Sequence, residues 1–337
     1  VDIEIEAANE NSLSPAGERV GERAGRSASA DVSTFDVIIV GGGPAGLSAA
    51  LLLGRCRRRV ALCDDGHPRN ASSHAVHGFL TRDGMEPKEL LRIGREQLGP
   101  YGIHLINQRI TTALPLPAKQ DDQKFAFELT THQGHLLRSR KLLIATGLVD
   151  DLPRVDGLPE LHGKSVFHCP YCDAWEVKDQ PLCAYGSGAE GAQLALSLKL
   201  WSADVVLVTD GVRRMPAKEL AALERHRIPV RHEPISRLEG DNGILRRVVF
   251  STGDFIERRA MFFQSTTGQR SDLALQLGCE FTKRGSIRTA TGESTTVPGL
   301  YAAGDVTHDA QFVSIAAAEG TKAGVAINKA LRMEDFH

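Results

Sequence analysis

Two glycine-rich loops of one kind constrain this chain more than any other feature. The first, Gly41-Gly42-Gly43-Pro44-Ala45-Gly46, follows directly on the apolar, β-branched run from Phe35 to Val40. The second, Gly186-Ser187-Gly188-Ala189-Glu190-Gly191, follows Leu182-Cys183-Ala184-Tyr185 in the same way. In such a strand-loop-helix unit the first glycine permits a tight turn and the second lets the backbone approach a pyrophosphate. The third lets the helix pack against the strand. Free N–H groups at the helix start, beside Pro44 and Ala45, then face the phosphates. Leu47 to Gly54 supply the first helix and Val60 to Cys63 the next strand, which ends at Asp64, placed to hold a ribose hydroxyl. Ala192 to Trp201 and Val205 to Val208 continue the second unit likewise.

The fold class is therefore α/β, with two Rossmann-like nucleotide-binding domains. Lys141 to Gly147 form a strand that ends in a small tight turn, Ala145-Thr146-Gly147. Gly299 to Asp305 repeat that form, with Gly304-Asp305 placed to accept hydrogen bonds from a polyol such as ribitol. If both segments serve one nucleotide site, the stretch between them is an inserted domain. A long loop from Gly66 to Gly84 carries Arg69, Asn70, His74 and His77 and in a flavoprotein would pass the isoalloxazine ring. Asn70 and His77 are its candidate flavin contacts. Pro87 to Gln97 read as an amphipathic helix. The run Arg55, Arg57, Arg58 and Arg59 falls at a helix C-terminus, where cations offset the dipole. Residues 1–34 are polar and acidic, lack a signal-peptide pattern and are expected to form a flexible tail.

Between the two loops lies His168-Cys169-Pro170-Tyr171-Cys172-Asp173-Ala174-Trp175-Glu176. Two thiols at this spacing can close a small disulfide ring, and the adjacent carboxyl can ferry the proton that thiolate chemistry requires. The same Cys-x-x-Cys could be half of a zinc site, but Cys56, Cys63, Cys183 and Cys279 are scattered singly, so no metal is expected. Tyr171 and Trp175 read either as ordinary packing or as the wall of a small-molecule pocket. Six cysteines in 337 residues are too few for a secreted disulfide scaffold, which points to a cytoplasmic protein. Lys plus Arg total 40 against 42 for Asp plus Glu, a net charge of -2, which gives no general attraction to nucleic acid or to an anionic membrane. No apolar run is long enough to span a bilayer.

Five ordered features carry a resemblance: Gly41-x-Gly43-x-x-Gly46, Ala145-Thr146-Gly147, Cys169-x-x-Cys172-Asp173, Gly186-x-Gly188-x-x-Gly191 and Gly304-Asp305. Over about Phe35 to Leu331 the chain resembles the low-molecular-weight thioredoxin reductases and their relatives among flavin-dependent disulfide oxidoreductases, including those acting on dithiol natural products. The resemblance implies an FAD-binding domain from residues 35–151 and 272–337, and an inserted NAD(P)-binding-like domain from 152–271 that carries the cysteine pair. It implies a homodimer as well. By position, Cys172 would lie nearest the flavin, Cys169 would attack the substrate disulfide and Asp173 would carry the proton. Domain rotation about Asp151 to Pro153 and Gly268 to Asp272 would present the dithiol alternately to flavin and partner.

Two departures bear on the electron donor. Family members that use NADPH have a basic clamp for the 2′-phosphate after the second strand, where this chain reads Thr209-Asp210-Gly211-Val212-Arg213-Arg214. Asp210 would repel a 2′-phosphate while suiting an unphosphorylated ribose, and Glu190 would sit near a pyrophosphate. Each such repulsion costs roughly 3 kcal/mol at about 5 Å and an effective dielectric of about 20. The charges thus leave NADPH, NADH and another electron source all open. The third departure lies at the flavin pyrimidine end, where an Arg-Gln-Ala turn is replaced by Gln311-Phe312-Val313-Ser314-Ile315-Ala316. Helix-start N–H groups at Ser314 and Ile315 are the expected substitutes there.

The leading expectation is an FAD enzyme passing electrons through Cys169 and Cys172 to a thioredoxin-like protein disulfide. The alternatives are an oxidase of small dithiols that uses oxygen as acceptor, and a flavin redox sensor whose disulfide state controls a partner.

Overall fold

The computed structural model describes residues 32–117, 125–307 and 310–336. Most of the expected tail lies outside the described residues. Strand β1 spans Ser33–Val40, so it starts two residues inside the stretch assigned to that tail. Pairing explains the difference: Ser33 and Thr34 lie in parallel register with Leu137 and Arg138.

From β1 the chain turns into α1 (Pro44–Arg55), β2 (Val60–Cys63), α2 (Pro87–Glu96) and β3 (His104–Ile106). Three further strands follow, β4 (Ile110–Pro115), β5 (Phe127–Thr131) and β6 (Leu136–Ile144). They complete a sheet of order β3-β2-β1-β6-β5-β4. The strands β1, β2, β3 and β6 are parallel, whereas β4, β5 and the start of β6 form an antiparallel meander. The two central strands are buried on both faces, which is why β1 reads as a nearly continuous apolar run.

A short strand β7 (Leu148–Asp151) leads out of this sheet into α3 (Leu158–Leu161), β8 (Val166–Phe167) and α4 (Pro170–Asp173). The second parallel unit is built from β9 (Leu182–Tyr185), α5 (Gly188–Leu198), β10 (Val205–Val208), α6 (Ala217–Arg225) and β11 (Val230–Arg231). An antiparallel meander of β12 (Ile235–Asp241), β13 (Ile244–Phe250) and β14 (Phe255–Glu257) covers one of its faces. Next, β15 (Ala260–Phe263) enters the sheet, whose order is β11-β10-β9-β15-β8.

The chain leaves by β16 (Thr266–Gln269), antiparallel to β7, and passes through α7 (Leu273–Gln276) to β17 (Leu300–Ala302). There β17 joins the first sheet beside the end of β6, with Leu300 opposite Leu142 and Ala302 opposite Ile144. The final helix, α8 (Val313–Phe336), crosses α1. Small residues let the two helices meet: a methyl group at Gly320 would lie 1.9 Å from the carbonyl oxygen of Ala45. Among the described residues no helix is long and apolar enough to cross a membrane.

Candidate active site

A cleft of about 1680 Å³ opens where the carboxyl ends of β1, β2 and β6 meet the returning turn after β17. That is the position at which open α/β sheets take ligands. Its lining includes the loop residues Gly41, Gly43, Pro44 and Ala45, then Asp64, Asn70 and His77, and finally Ala145, Thr146, Gly147, Gly304 and Asp305. Gly46 lies beneath the lining, where a methyl group would meet Gly41 O at 1.9 Å, so the loop folds directly onto its own helix. Gly41 adopts a φ of +111°, and a side chain there would strike Ala145 O at 2.1 Å. By contrast, nothing stands within 4 Å of where a Gly43 side chain would be, so that stretch of backbone faces open cleft.

Other features of the cleft also fit a dinucleotide. The α1 N-terminus has no side-chain cap, which leaves its first N–H groups for a ligand. Thr146 Oγ1 is buried with no hydrogen-bond partner among the described residues. Asp64 is drawn towards the loop by Gly42 N, which donates to Oδ1 at 3.0 Å, and its other oxygen pairs with Arg95. The N–H of Gly304 donates at 2.7 Å to the buried carboxylate of Glu319, which holds the turn presenting Asp305.

Ser314 and Ile315 fall outside the lining, with Ser314 exposed on the first turn of α8. Gln311, Phe312, Val313 and Ala316 line the cleft instead. Arg69 is a site residue without a role in the sequence reading. Its guanidinium forks onto Asp150 at 2.8 and 2.5 Å and reaches Asp305 at 3.0 Å and Gln311 at 2.7 Å. Burial works against ionised Asp150, but the Arg69 guanidinium holds its carboxyl below the usual carboxylate range. No local sequence pattern joins Arg69 to Asp305, because their contact spans the whole inserted stretch.

Cys169 and Cys172 form a disulfide with Cα atoms 5.3 Å apart. Cys172, His168 and Asp173 line the cleft, whereas Cys169 stands outside its lining. Burial pushes the Asp173 carboxyl up to about 7, the nearby charge of Glu176 adds to the rise, and His77 opposes it. Burial likewise lowers the pKa of His168, which favours its neutral imidazole. Tyr171 and Trp175 are 71% and 64% exposed. Neither is core packing: Tyr171 meets Trp201 edge-on, and the Lys178 ammonium sits over Trp175. Cys63 and Cys183 are buried strand thiols, and burial pushes both up to about 12. Among the described residues no group of three or more His, Cys, Asp or Glu side chains is arranged to hold a metal ion.

In the second glycine loop, Gly188 has a φ of +61° and a methyl group at Gly191 would lie 2.4 Å from the Gly186 carbonyl carbon. Helix α5 begins at Gly188, earlier than the sequence suggests, with exposed Glu190 in its first turn. The Asp210 carboxylate is engaged, accepting from Tyr185 OH at 2.9 Å and from Ile235 N at 2.7 Å. It pins the turn after β10 to the start of β12.

A family model described as pyridine nucleotide-disulphide oxidoreductase matches residues 35–320. The chain belongs to the pyridine nucleotide-disulphide oxidoreductase family. It is a thioredoxin reductase-like, FAD-dependent oxidoreductase of that family, whose members use NAD(P)H as electron donor. The solved structure of HlmI is 37% identical with a TM-score of 0.84, covering 90% of this chain and 94% of that one. TrxB of Bacillus anthracis is 34% identical with a TM-score of 0.83, covering 90% and 100%. Thioredoxin reductase aclD of Aspergillus oryzae is 29% identical over 89% of this chain and 98% of its own. Membership of this family agrees with a cleft whose glycine loop fits a dinucleotide and whose lining includes Cys172 of the disulfide.

Proposed function

We propose that this chain passes electrons between FAD in the cleft and the disulfide of a thioredoxin-like protein, through Cys169 and Cys172. The observation that carries the reading is the asymmetry of the pair: Cys172 lines the cofactor cleft and Cys169 does not. Cys172 is then the sulfur that exchanges electrons with the cofactor, and Cys169 the one that attacks the partner's disulfide. Asp173, with its carboxyl near neutrality, holds and returns the proton that this exchange requires. Bound FAD supplies the two-electron step. Its pyrophosphate would be held by Gly41, Gly43, Pro44, Ala45 and the α1 N-terminus, its ribose by Asp64, and its ribitol side by Gly304 and Asp305. Asn70, His77, Ala145, Thr146 and Gly147 complete the cradle.

Residues 35–151 with 272–337 make up the FAD domain in this reading, and 152–271 the inserted domain, which moves about β7 and β16. Gly186, Gly188 and Gly191 seat the pyridine nucleotide. Asp210 removes the usual advantage of a 2′-phosphate, and Glu190 weakens pyrophosphate binding equally for NADH and NADPH. A cytoplasmic homodimer fits the resemblance and the single, scattered thiols outside the disulfide.

The test is anaerobic mixing with NADPH and with NADH while flavin bleaching is followed. NADPH is expected to bleach the flavin no faster than NADH, and serine at Cys169 or Cys172 should abolish disulfide turnover with FAD still bound. A clear preference for NADPH would refute the donor reading, and turnover that survives either serine would refute the relay.

The exposed Tyr171 and Trp175 beside Cys169 favour a second reading, oxidation of small dithiols with oxygen as acceptor. Oxygen uptake driven by a small dithiol, without any protein disulfide, separates it from the first.

A further inference from the structure

We propose that His77 carries a proton between water and Asp173, by way of Glu176, each time the Cys169–Cys172 disulfide opens or closes. The inference rests on the relay reading above. Opening a disulfide to two thiols takes two electrons and two protons. Bound cofactor would supply both electrons and one proton, so one more proton must enter from water, and must return to it when the flow reverses. Asp173 stands where that proton is used, directly after Cys172 on the cleft wall. A cofactor seated in the cleft would cover that side, so the exchange with water would need another way out.

Such a way is present. Glu176 follows Asp173 by three residues, in the turn after α4, and its charge helps to raise the Asp173 carboxyl. Oε1 of Glu176 lies 3.4 Å from Nε2 of His77, and Nδ1 of the same ring lies 3.6 Å from Oδ1 of Asp83. The side chains of His77, Glu176 and Asp83 are 21%, 39% and 70% exposed, so the ring links Glu176 to Asp83, the most solvated of the three. An imidazole with a carboxylate at each nitrogen can take a proton at one edge and release one at the other, and both acids stabilise the charged ring between the two events. Separations of 3.4 and 3.6 Å are longer than a hydrogen bond, so transfer proceeds by a small ring rotation or across one water.

The ring is held for this task by a small hairpin. Val76 N donates to Met85 O at 2.7 Å, Gly84 N to Val76 O at 2.9 Å, and Gly78 N to Asp83 Oδ1 at 2.8 Å. The charged groups that face His77 are thus Asp83 on its own hairpin, and Glu176 and Asp173 from the segment after the disulfide.

The experiment follows flavin bleaching by dithiothreitol in anaerobic stopped flow, using the full-length holoenzyme in dilute buffer. His77→Gln and Glu176→Gln should each bleach about tenfold slower than wild type. Added imidazole should restore His77→Gln while leaving wild type unchanged, a response that a purely structural defect would not give. A His77→Gln protein that bleaches at the wild-type rate in dilute buffer, or a slow one that ignores imidazole, overturns the proton path. Should that variant lose its flavin, Glu176→Gln decides: slow bleaching supports the path and a wild-type rate removes it. Wild-type flavin that dithiothreitol cannot bleach overturns the relay reading, and the proton path with it.

Discussion

Two partly or wholly buried carboxyl groups near the cleft show how environment divides their roles. Glu319 accepts hydrogen bonds from Gly304 N and Thr307 Oγ1, so its carboxylate is built into the turn that carries Asp305. Asp173 lacks that compensation, and burial pushes it from 3.8 to about 7. The sign of the effect on stability follows. Between its unfolded value near 3.8 and its folded value near 7, folding takes up a proton, so this group stabilises the fold at low pH and loses that contribution as pH rises through about 7. Asp173→Asn should therefore melt at a higher temperature than wild type at pH 8, with the gap closing towards pH 4. The same variant should slow disulfide–flavin exchange by about a hundredfold or more, because an amide cannot hold or return the proton. In wild type, disulfide reduction should weaken as pH rises through about 7, and the variant should lose that limb. Melting curves and single-turnover rates across pH 4 to 9 check both statements.

At the level of elements, the contact of α8 with α1 decides whether the cofactor turn is in place. A methyl group at Gly320 would strike a backbone carbonyl at 1.9 Å, whereas one at Gly324 would meet the side-chain atom Leu52 Cδ2 at 2.9 Å, which can yield. Overpacking against backbone costs about 1–3 kcal/mol or more. Gly320→Ala is thus expected to lower the melting temperature by several degrees and to weaken FAD retention, since Glu319 on the same turn holds Gly304. Gly324→Ala should do distinctly less of both, and thermal unfolding with flavin release measures the difference. The glycines of α1 and α5, the strands β2, β9 and β10, and the cysteine motif were legible from sequence because their chemistry is local. Features formed by distant pairing were not. The arginine run after α1 reads as dipole compensation, yet Arg58 reaches Asn328 and Asp335 on α8. Asp210 reads as a nucleotide discriminator, and its carboxylate also accepts hydrogen bonds from Tyr185 and Ile235, contacts that the sequence does not show. Ser314 and Ile315 are expected from the helix start, and Gln311, Phe312 and Val313, just before and at that start, line the cleft instead.

For the whole molecule, the loop from Gly66 to Gly84 ties the first sheet to the β7–β16 pair and to the inserted stretch at successive points. Arg69 grips Asp150 on β7, Ser72 packs against Gly163 and faces His162 at 3.5 Å, and His77 meets Glu176. The Arg69 contact should matter most, because Asp150 lies on one of the two strands proposed as the hinge. Its guanidinium also holds Asp150 and Asp305 together, so without it two carboxylates would face each other with little compensation. The Arg69 and Asp150 side chains are only 14% and 7% exposed, and removing one partner of so buried a pair costs about 3–5 kcal/mol. Arg69→Ala should therefore open β7 and β16 locally, raising amide hydrogen exchange in 148–151 and 266–269 by about a hundredfold, given that 1.4 kcal/mol is tenfold. Arg69→Lys keeps the charge but cannot fork onto both acids, so its exchange should fall between those of wild type and Arg69→Ala. Exchange at both strands that stays at the wild-type level in Arg69→Ala would mean the hinge is held by its own β-pairing, and that the loop merely borders the cleft.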